Sequence, residues 1–228
     1  MTNFIRADEL KIKYEVYANF YKMKQLDGEI HICRNVADIY EVGYIRKNPN
    51  SLPKAIIIMM NPGKCEPKSS KQFIPVLSAK DLEDMSKKSP AILCKPDNAQ
   101  YQIMRIMYAK GWNHVRIVNL SDIKCSNGDE FKKILKLLLN LDKDHIHSIF
   151  SDRRMKERES LCTLDKEAPI ILGWGTDKIL LNLAMKCVSC IPLKNAKGIL
   201  HSKNLYYYPS PPPKVMKEEW LDKILNII

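Results

Sequence analysis

Two asparagines that directly follow apolar runs of strand length are the first candidates for chemistry. Asn61 follows the run 55–60 and precedes Pro62 and Gly63, and Asn119 ends a second run. An asparagine amide combines an accepting carbonyl oxygen with a donating NH2 group, so it can hold a water molecule or read the edge of a pyrimidine base. Both positions also have a structural interpretation, since Asn-Pro-Gly is typical of a turn and an asparagine can tie down a strand end.

A proline-rich loop near the C-terminus is the third candidate. Tyr208, Pro209 and Ser210 begin it, and Pro211 to Pro213 complete it. A stiff loop that carries a hydroxyl suits contacts with the backbone phosphates of DNA while a base is flipped out of the helix. The same prolines could instead present a short polyproline ligand to a protein partner.

These candidates all follow predicted strands of one α/β domain. Apolar runs predict four strands, at 55–60, 115–119, 169–172 and 205–208. Amphipathic spacing predicts helices between and after them, at 99–110, 129–140, 177–187 and 217–228. This alternation predicts a parallel sheet covered by helices on both faces, with a site outside the carboxyl ends of the strands. Asn61, Asn119 and Ser210 are therefore expected to line one cleft.

The segment before the first of these strands is expected to be helical. Aromatic and aliphatic residues at helical spacing from 4 to 26 predict an amphipathic helix, whereas 29–33 is compatible with either a short strand or a loop. Turn residues between 47 and 53 close the segment. We therefore expect a helical N-terminal extension over 1–52, packed on an α/β domain that spans 53–228.

The charge balance favours a partner that carries phosphates. The 37 lysines and arginines exceed the 26 acidic residues and give a formal net charge of +11. Each lysine or arginine that meets a DNA phosphate releases a condensed counterion, so such an excess promotes nucleic-acid binding. A lysine-rich coding style would give the same composition without that role. The candidates for phosphate contact are Lys64, Lys68, Lys71 and Lys214, and a further basic pair stands at 87–88.

Cysteine usage and missing motifs argue against several other classes. The seven cysteines are scattered and odd in number, and no secretory signal is evident, which favours reduced thiols in the cytoplasm. Cys187 and Cys190 form a single CxxC, which cannot complete a four-ligand metal site alone. The apolar runs are too short to cross a membrane, and glycine-rich phosphate loops are missing. We expect a soluble protein that needs no cofactor, no metal and no obligatory protein partner.

Four segments in this order resemble motifs of the uracil-DNA glycosylase superfamily. Residues 59–63, Met-Met-Asn-Pro-Gly, resemble the first active-site motif of its mismatch-specific uracil/thymine branch, and 208–211, Tyr-Pro-Ser-Pro, resemble the second. Residues 117–119, Ile-Val-Asn, resemble the strand end that reads the base, and 170–173, Ile-Ile-Leu-Gly, resemble the third strand. A family of uncharacterised bacterial proteins with Asn-Pro, Asn-Leu and Trp-Gly at similar places is equally close.

The resemblance implies a three-layer α/β/α fold with a central four-stranded parallel sheet, and it implies a role for each motif. Asn61 would hold the attacking water, and Gly63 would let backbone amides approach the substrate. Asn119 would read the base, and Phe73 would supply the stacking ring that the family places after its first motif. Tyr208 stands where the family often has a histidine that donates to the base.

The second motif implies contacts with the DNA strand rather than with the base. Pro209 and Ser210 would grip backbone phosphates, and Lys214 begins the segment where the family places its DNA-wedging residue. Because Tyr208 replaces the usual histidine, the expected substrate is a modified pyrimidine rather than ordinary uracil.

The expected function is that of a monofunctional DNA glycosylase. It would hydrolyse the N-glycosidic bond of a modified pyrimidine in DNA and leave an abasic site, in a role that could include defence against phages with modified genomes. The alternative is a non-catalytic module on the same fold that binds nucleic acid or nucleotides.

Overall fold

The computed structural model describes residues 4–24, 28–84, 89–142 and 144–228. The predicted basic pair at 87–88 lies outside these described residues. The helices are α1 Ala7–Lys13, α2 Tyr44–Lys47, α3 Ala79–Asp84, α4 Asn98–Lys110, α5 Gly128–Leu141, α6 Met155–Leu161, α7 Leu181–Cys190 and α8 Lys214–Leu225. The strands are β1 Tyr14–Lys24, β2 Ile30–Glu41, β3 Ile56–Met59, β4 Glu66–Pro67, β5 Val76–Leu77, β6 Ala91–Lys95, β7 His114–Asn119, β8 Ile170–Leu172, β9 Ala196–Gly198, β10 Leu200–Ser202 and β11 Leu205–Tyr206.

Nine of the described strands form one mixed sheet, which confirms the α/β class. Their order is β4-β6-β1-β2-β7-β3-β8-β9, and β5 pairs with β1 outside this path. Strands β7, β3, β8 and β9 run parallel to one another, and β2 joins them to the antiparallel strands through its pairing with β7. The sheet is therefore larger than the predicted four-stranded parallel sheet, and these four consecutive parallel strands make up only one side of it.

The predicted N-terminal helix is wrong for most of its length. Within its described part, residues 4–24, only Ala7–Lys13 is helical, and the following eleven residues form β1. Alternate side chains of β1 are buried, among them Tyr14, Val16 and Ala18. The tyrosines and phenylalanines that match a helical spacing also match this period of two, and aromatic residues favour a pleated surface. Residues 1–52 thus supply two central strands instead of a helical extension.

The fourth parallel strand also differs from the prediction. It is β9 at Ala196–Gly198, whereas the apolar run 205–208 contributes only the short strand β11, which pairs with β10 in a separate hairpin. A side chain at Gly198 would lie 2.6 Å from Tyr206 Cδ1 and 2.8 Å from the Leu172 carbonyl oxygen, so the hairpin folds tightly over this strand. The sequence Ala-Lys-Gly has no apolar pattern that would mark it as a strand.

Most predicted helices are confirmed with small shifts of their ends. Helix α4 begins with a capping box, in which Asp97 accepts from the Gln100 amide at 3.0 Å and Gln100 reaches back to the Asp97 amide. It ends at Gly111, whose φ of 65° is the left-handed conformation that glycine adopts readily. The long predicted loop 61–97 contains β4, β5, α3 and β6.

Apolar residues fill a core on each face of the sheet. Along β3, Ile56 and Ile58 pack on one side with residues of α5 and α7, and Ile57 and Met59 pack on the other with residues of α4 and α8. This explains why β3 is a continuous apolar run, since a strand covered on both faces needs no polar side. None of the helices in the described ranges is long and apolar enough to cross a lipid bilayer.

Candidate functional site at the carboxyl edge of the parallel strands

Parallel pairing brings the two asparagine positions together. The ladder between β3 and β7 continues past the strands, because the amides of Leu120 and Ser121 donate to the carbonyls of Met59 and Met60 at 2.8 and 3.1 Å. The chain segments after β3 and β7 therefore leave the sheet side by side. Asn61 is the first residue beyond this ladder.

The Asn61 amide is fixed in one orientation by the neighbouring loop. Its Nδ2 donates to the carbonyls of Cys125 at 2.7 Å and Ile123 at 3.3 Å, both in the segment after β7. The residue retains 9% of its surface exposed. No described residue donates to its Oδ1, so the accepting oxygen is the part of the side chain left for a ligand or water.

Asn119 is buried, and its side chain joins strand β2 to the segment after β3 by hydrogen bonds. It has no exposed surface. In the amide orientation that satisfies both ends, its Nδ2 donates to the main-chain oxygen of Asn61 at 3.1 Å and its Oδ1 accepts from Arg34 Nη2 at 3.3 Å. With both ends engaged, Asn119 has no free atom to read a base. The structural interpretation of this residue therefore fits the geometry.

Gly63 lets the start of helix α4 approach the Asn-Pro-Gly loop. Its φ of +63° is left-handed, and a Cβ there would stand 3.0 Å from Asp97 Oδ2. Both features require glycine, because other residues are strained in this conformation and would press on the cap of the helix. The loop that carries Asn61 is thus closely packed against the N-terminus of α4.

The proline-rich loop reaches the same edge through Gly173, the first residue after β8. A Cβ at Gly173 would lie 2.9 Å from Pro209 Cδ, so the proline ring sits directly on the strand end. Ser210 follows, and its Oγ is buried with no hydrogen-bond partner among the described residues. The loop is held further by Trp220, whose Nε1 donates to the Tyr207 carbonyl at 3.0 Å.

Tyr208 is the first residue of the proline-rich loop and is partly exposed. Although 37% of the residue is exposed, burial raises the pKa of the Tyr208 phenol, and the Asp97 carboxylate acts in the same direction. The positive charge of Arg34 opposes this rise in pKa. Tyr208 therefore lies within electrostatic range of both the Arg34 guanidinium and the cap of α4.

Arg34 is the residue at this edge that the sequence patterns did not identify. Only 1% of it is exposed, and its Nε and Nη1 have no hydrogen-bond partner among the described residues. It lies on β2, beside a register shift between β1 and β2 at Asn19 and Phe20. A charged residue inside a segment flanked by buried Cys33 and Val36 is the signal that could have drawn attention to it.

Two buried cysteines lie near Arg34. A hydrogen bond with the Cys94 thiol lowers the pKa of Cys65, and the charge of Arg34 acts in the same direction against the effect of burial. Cys94 faces Pro67 across the β4–β6 pair. The ionised form of the Cys65 thiol is therefore favoured.

The remaining predicted site residues are exposed on the surface. Phe73 is 76% exposed, so it is not packed as a wall of the site. Lys214 pairs with Glu218 at 3.4 Å and lies 5.6 Å from the Phe4 ring. Lys64 directly follows Gly63 and is exposed, as are Lys68 and Lys71 farther along the chain.

Asp122 is buried in a different cluster and does not face Asn61. Its Oδ2 accepts from Tyr21 at 2.8 Å and from Arg154 at 2.6 Å, and both partners are enclosed. Burial raises the pKa of Asp122 to about 6. Since this carboxylate is committed to Arg154, it is a poor candidate for holding a water molecule at the strand ends.

No protein-family model, curated protein or solved structure matches this chain. In the described part of the chain, His, Cys, Asp and Glu side chains form no group of three or more that could hold a metal ion.

Proposed function

We propose that this chain is a monofunctional DNA glycosylase that hydrolyses the N-glycosidic bond of a modified pyrimidine. The observation that carries the proposal is the fixed amide of Asn61. Two carbonyl oxygens hold its Nδ2 at 2.7 and 3.3 Å, which leaves Oδ1 as an acceptor with a defined direction at the carboxyl edge of the parallel strands. Ligands of α/β sheets bind at such edges.

The reaction needs a positioned water molecule and stabilisation of the leaving base. The water oxygen bonds to C1′ of the deoxyribose while the C1′–N bond breaks, and the base departs with the bonding electron pair. One water proton is lost, and the base takes up one proton, so the products are an abasic site and the free base. Asn61 Oδ1 would accept a hydrogen bond from the attacking water and set its approach, without itself taking up the proton.

The same hydrogen bonds explain why an amide suits this position better than a carboxylate. An aspartate would place a second oxygen against the carbonyls of Ile123 and Cys125, where the present group is a donor. Such a contact between acceptors is repulsive and leaves a buried charge without a partner. We therefore expect Asn61→Asp to lower both activity and stability.

The DNA partner is supported by charge and exposure. The chain carries a formal net charge of +11, and Lys64, Lys68, Lys71 and Lys214 are all exposed. If these lysines contact phosphates, DNA affinity should fall steeply with salt because condensed counterions are released on binding. Binding that is insensitive to salt would contradict a DNA partner.

The direct test is incubation of the purified protein with DNAs that carry different modified pyrimidines, followed by hot alkali to cleave abasic sites. Asn61→Ala should lower the single-turnover rate by about 10²–10⁴-fold, the usual value of a positioned group that assists proton transfer. Melting temperature and DNA affinity should be recorded for each variant, because Asn61 also ties two loops together.

Asn48→Ala is the matched control for that experiment. Asn48 also precedes a proline, but it is exposed and lies in the segment between β2 and β3. Its substitution should leave excision unchanged. An Asn61→Ala protein that stays folded and excises at the wild-type rate would contradict the proposed role of Asn61.

The second candidate is a non-catalytic module that binds nucleic acid or nucleotides at the same edge. The burial of Asn61 and the complete enclosure of Asn119 favour it, because a catalytic asparagine must be reached by the substrate. This candidate predicts salt-dependent DNA binding or nucleotide binding without abasic sites on any of the DNAs tested. The two readouts of the same experiment therefore separate the two functions.

A further inference from the structure

Arg34 is a buried positive charge without a carboxylate partner among the described residues. Its side chain is 1% exposed, and Nε and Nη1 have no hydrogen-bond partner within the same described ranges. The guanidinium donates one hydrogen bond there, from Nη2 to Asn119 Oδ1 at 3.3 Å. A guanidinium remains charged in proteins, so burial cannot be relieved by loss of its proton.

The unpaired nitrogens belong to the Asn61 edge rather than to a remote part of the core. Asn119 links the guanidinium to the main-chain oxygen of Asn61 through hydrogen bonds of 3.3 and 3.1 Å. The charge of Arg34 also lowers the pKa of the Tyr208 phenol and of the Cys65 thiol against the effect of burial. The guanidinium is thus linked to Asn61 by hydrogen bonds and acts electrostatically on Tyr208 at the same edge.

Buried polar groups in folded proteins almost always have partners, and a buried charge without one is costly. A ligand that brings an anionic oxygen to Nε or to Nη1 would supply a missing partner. Each of these donors lies in the guanidinium plane with a fixed direction, so it orients an acceptor more strictly than a single lysine charge would.

We infer that Arg34 binds an anionic oxygen of the ligand at the carboxyl edge. Under the proposed function, on which the identity of the ligand rests, this oxygen is a carbonyl oxygen of the pyrimidine that departs with the bonding electrons. Donors aimed at developing negative charge lower the barrier of such reactions, because the charge is stronger at the transition state than in the substrate. Arg34 would therefore stabilise the departing base, while Asn61 positions the water.

The inference can be tested without DNA, by measuring the binding of small ligands to the full chain by calorimetry. Barbiturate is a pyrimidine that is anionic at neutral pH, uracil is a neutral one, and inorganic phosphate is an anion without a ring. A charge-assisted hydrogen bond should make barbiturate bind roughly ten- to hundred-fold more tightly than uracil. Arg34→Gln should remove this preference, and Arg34→Lys should restore only part of it.

Arg105→Gln is the matched control for those variants. Arg105 is also buried, but its Nε donates to the Ile5 carbonyl at 2.8 Å and it stacks on the Phe4 ring, away from Asn61. The variant should keep the preference for barbiturate. Equal binding of barbiturate and uracil by the wild-type protein, or a preference that persists in folded Arg34→Gln, would overturn the inference. Phosphate that binds as tightly as barbiturate would overturn the assignment to a base oxygen.

Base excision by the same variants separates this inference from the proposed function. Arg34→Gln should excise at least about tenfold more slowly than the wild-type protein in single-turnover assays, as is typical when a donor to developing charge is removed. If no DNA is cut but the barbiturate preference depends on Arg34, the glycosylase proposal fails and the anion site stands. If the wild-type protein cuts DNA and folded Arg34→Gln cuts it equally fast, the glycosylase stands and the inference about Arg34 fails.

Discussion

Two arginines are buried almost completely in this protein, and their surroundings differ. Arg154 Nη1 lies 2.6 Å from Asp122 Oδ2, and its Nη2 lies 2.7 Å from Glu157 Oε2. Among the described residues, the Arg34 side chain has no carboxylate partner and makes one hydrogen bond, from Nη2 to Asn119 Oδ1 at 3.3 Å. A backbone hydrogen bond joins the two regions, because the Arg34 amide donates to the Asp122 carbonyl at 2.8 Å.

The Arg154 charge stabilises the fold through ion pairs with carboxylates, whereas the Arg34 charge has no such ion pair among the described residues. Around Arg154, two carboxylates and the Tyr21 hydroxyl form a network that pairs the guanidinium with opposite charges, while Asp122 Oδ1 has no hydrogen-bond partner among the described residues. Such a network is destabilised strongly when one member is removed. Around Arg34 nothing comparable exists within the described residues, so the stability of the fold should depend little on its charge. Burial of a charged side chain alone is therefore a poor indicator of function, whereas burial of a charge without an ion-pair partner is an informative one.

The largest effect is expected at Arg154. Arg154→Met would leave Asp122 and Glu157 buried without a counter-charge, which typically costs about 3–5 kcal/mol of unfolding free energy. Denaturant unfolding at neutral pH measures this loss. Addition of Asp122→Asn to the same chain should recover part of the lost stability, because one of the two uncompensated carboxylates is then removed. An Arg154→Met protein as stable as wild type would contradict the prediction that Arg154 stabilises the fold and Arg34 does not.

The second largest effect is the pH dependence of stability that arises from His147, a buried residue on which the Arg154 charge acts. His147 is fully buried, its Nδ1 is 3.0 Å from Ser121 Oγ, and burial lowers the pKa of its imidazole to about 3. The unfolded chain therefore binds a proton below the ordinary pKa of about 6.5, while the folded chain does not. The contribution of His147 to the unfolding free energy is fully present above about pH 6.5. Below that pH the unfolding free energy falls by up to about 1.4 kcal/mol per pH unit.

His147→Asn isolates this contribution, since an asparagine retains a group near Ser121 and does not titrate. Between pH 6.5 and 4 the wild-type protein should lose roughly 3 kcal/mol more unfolding free energy than the variant. Asp122 acts in the opposite sense, because its raised pKa favours the folded state in acid and this contribution is lost as the pH rises through about 6. The measurement must therefore compare the two proteins with each other. If the unfolding free energies of the two proteins fell in parallel with pH, the pKa of His147 would not be lowered in the folded state.

Local signals predicted the helices well and several strands poorly. Helix α4 could be predicted because a capping residue at Asp97 and a glycine stop at Gly111 bound an amphipathic run. Strand β1 could not, because its aromatic residues satisfy the helical and the strand period together, and the choice is made by pairing with β2 and β6. Strand β9 carries no apolar pattern, and its position depends on parallel pairing with β8.

The candidate site was predictable only where it follows from parallel strand ends. The positions of Asn61 and Asn119 come from adjacent parallel strands, which their apolar runs revealed. Arg34 comes from β2, an antiparallel neighbour of β7, and no local pattern reveals that pairing. The side-chain partners of Asn61 lie in the irregular segment after β7. The sequence therefore predicted which edge of the sheet carries the candidate site. The position of the unpaired guanidinium depends on long-range contacts that no local pattern predicts.

The smallest stability effect is expected at Arg34, and it is the sharpest test of the comparison. Arg34→Met removes a buried charge that lacks a partner and places an apolar side chain of similar length in the core, which is usually neutral or stabilising. The opposing cost is the charge-assisted hydrogen bond lost to Asn119, whose buried Oδ1 is left without this donor, worth about 1–3 kcal/mol. The unfolding free energy should therefore fall by less than about 3 kcal/mol or rise above that of wild type, although the Arg34-dependent binding is lost. A loss of more than about 3 kcal/mol would mean that Arg34 has a counter-charge in solution, since that exceeds a single charge-assisted hydrogen bond. The Cys65 thiolate is the first candidate for it, because the charge of Arg34 favours its ionised form. The same substitution in a Cys65→Ser chain would identify that pair, as the loss should then shrink toward the value of the Asn119 hydrogen bond alone.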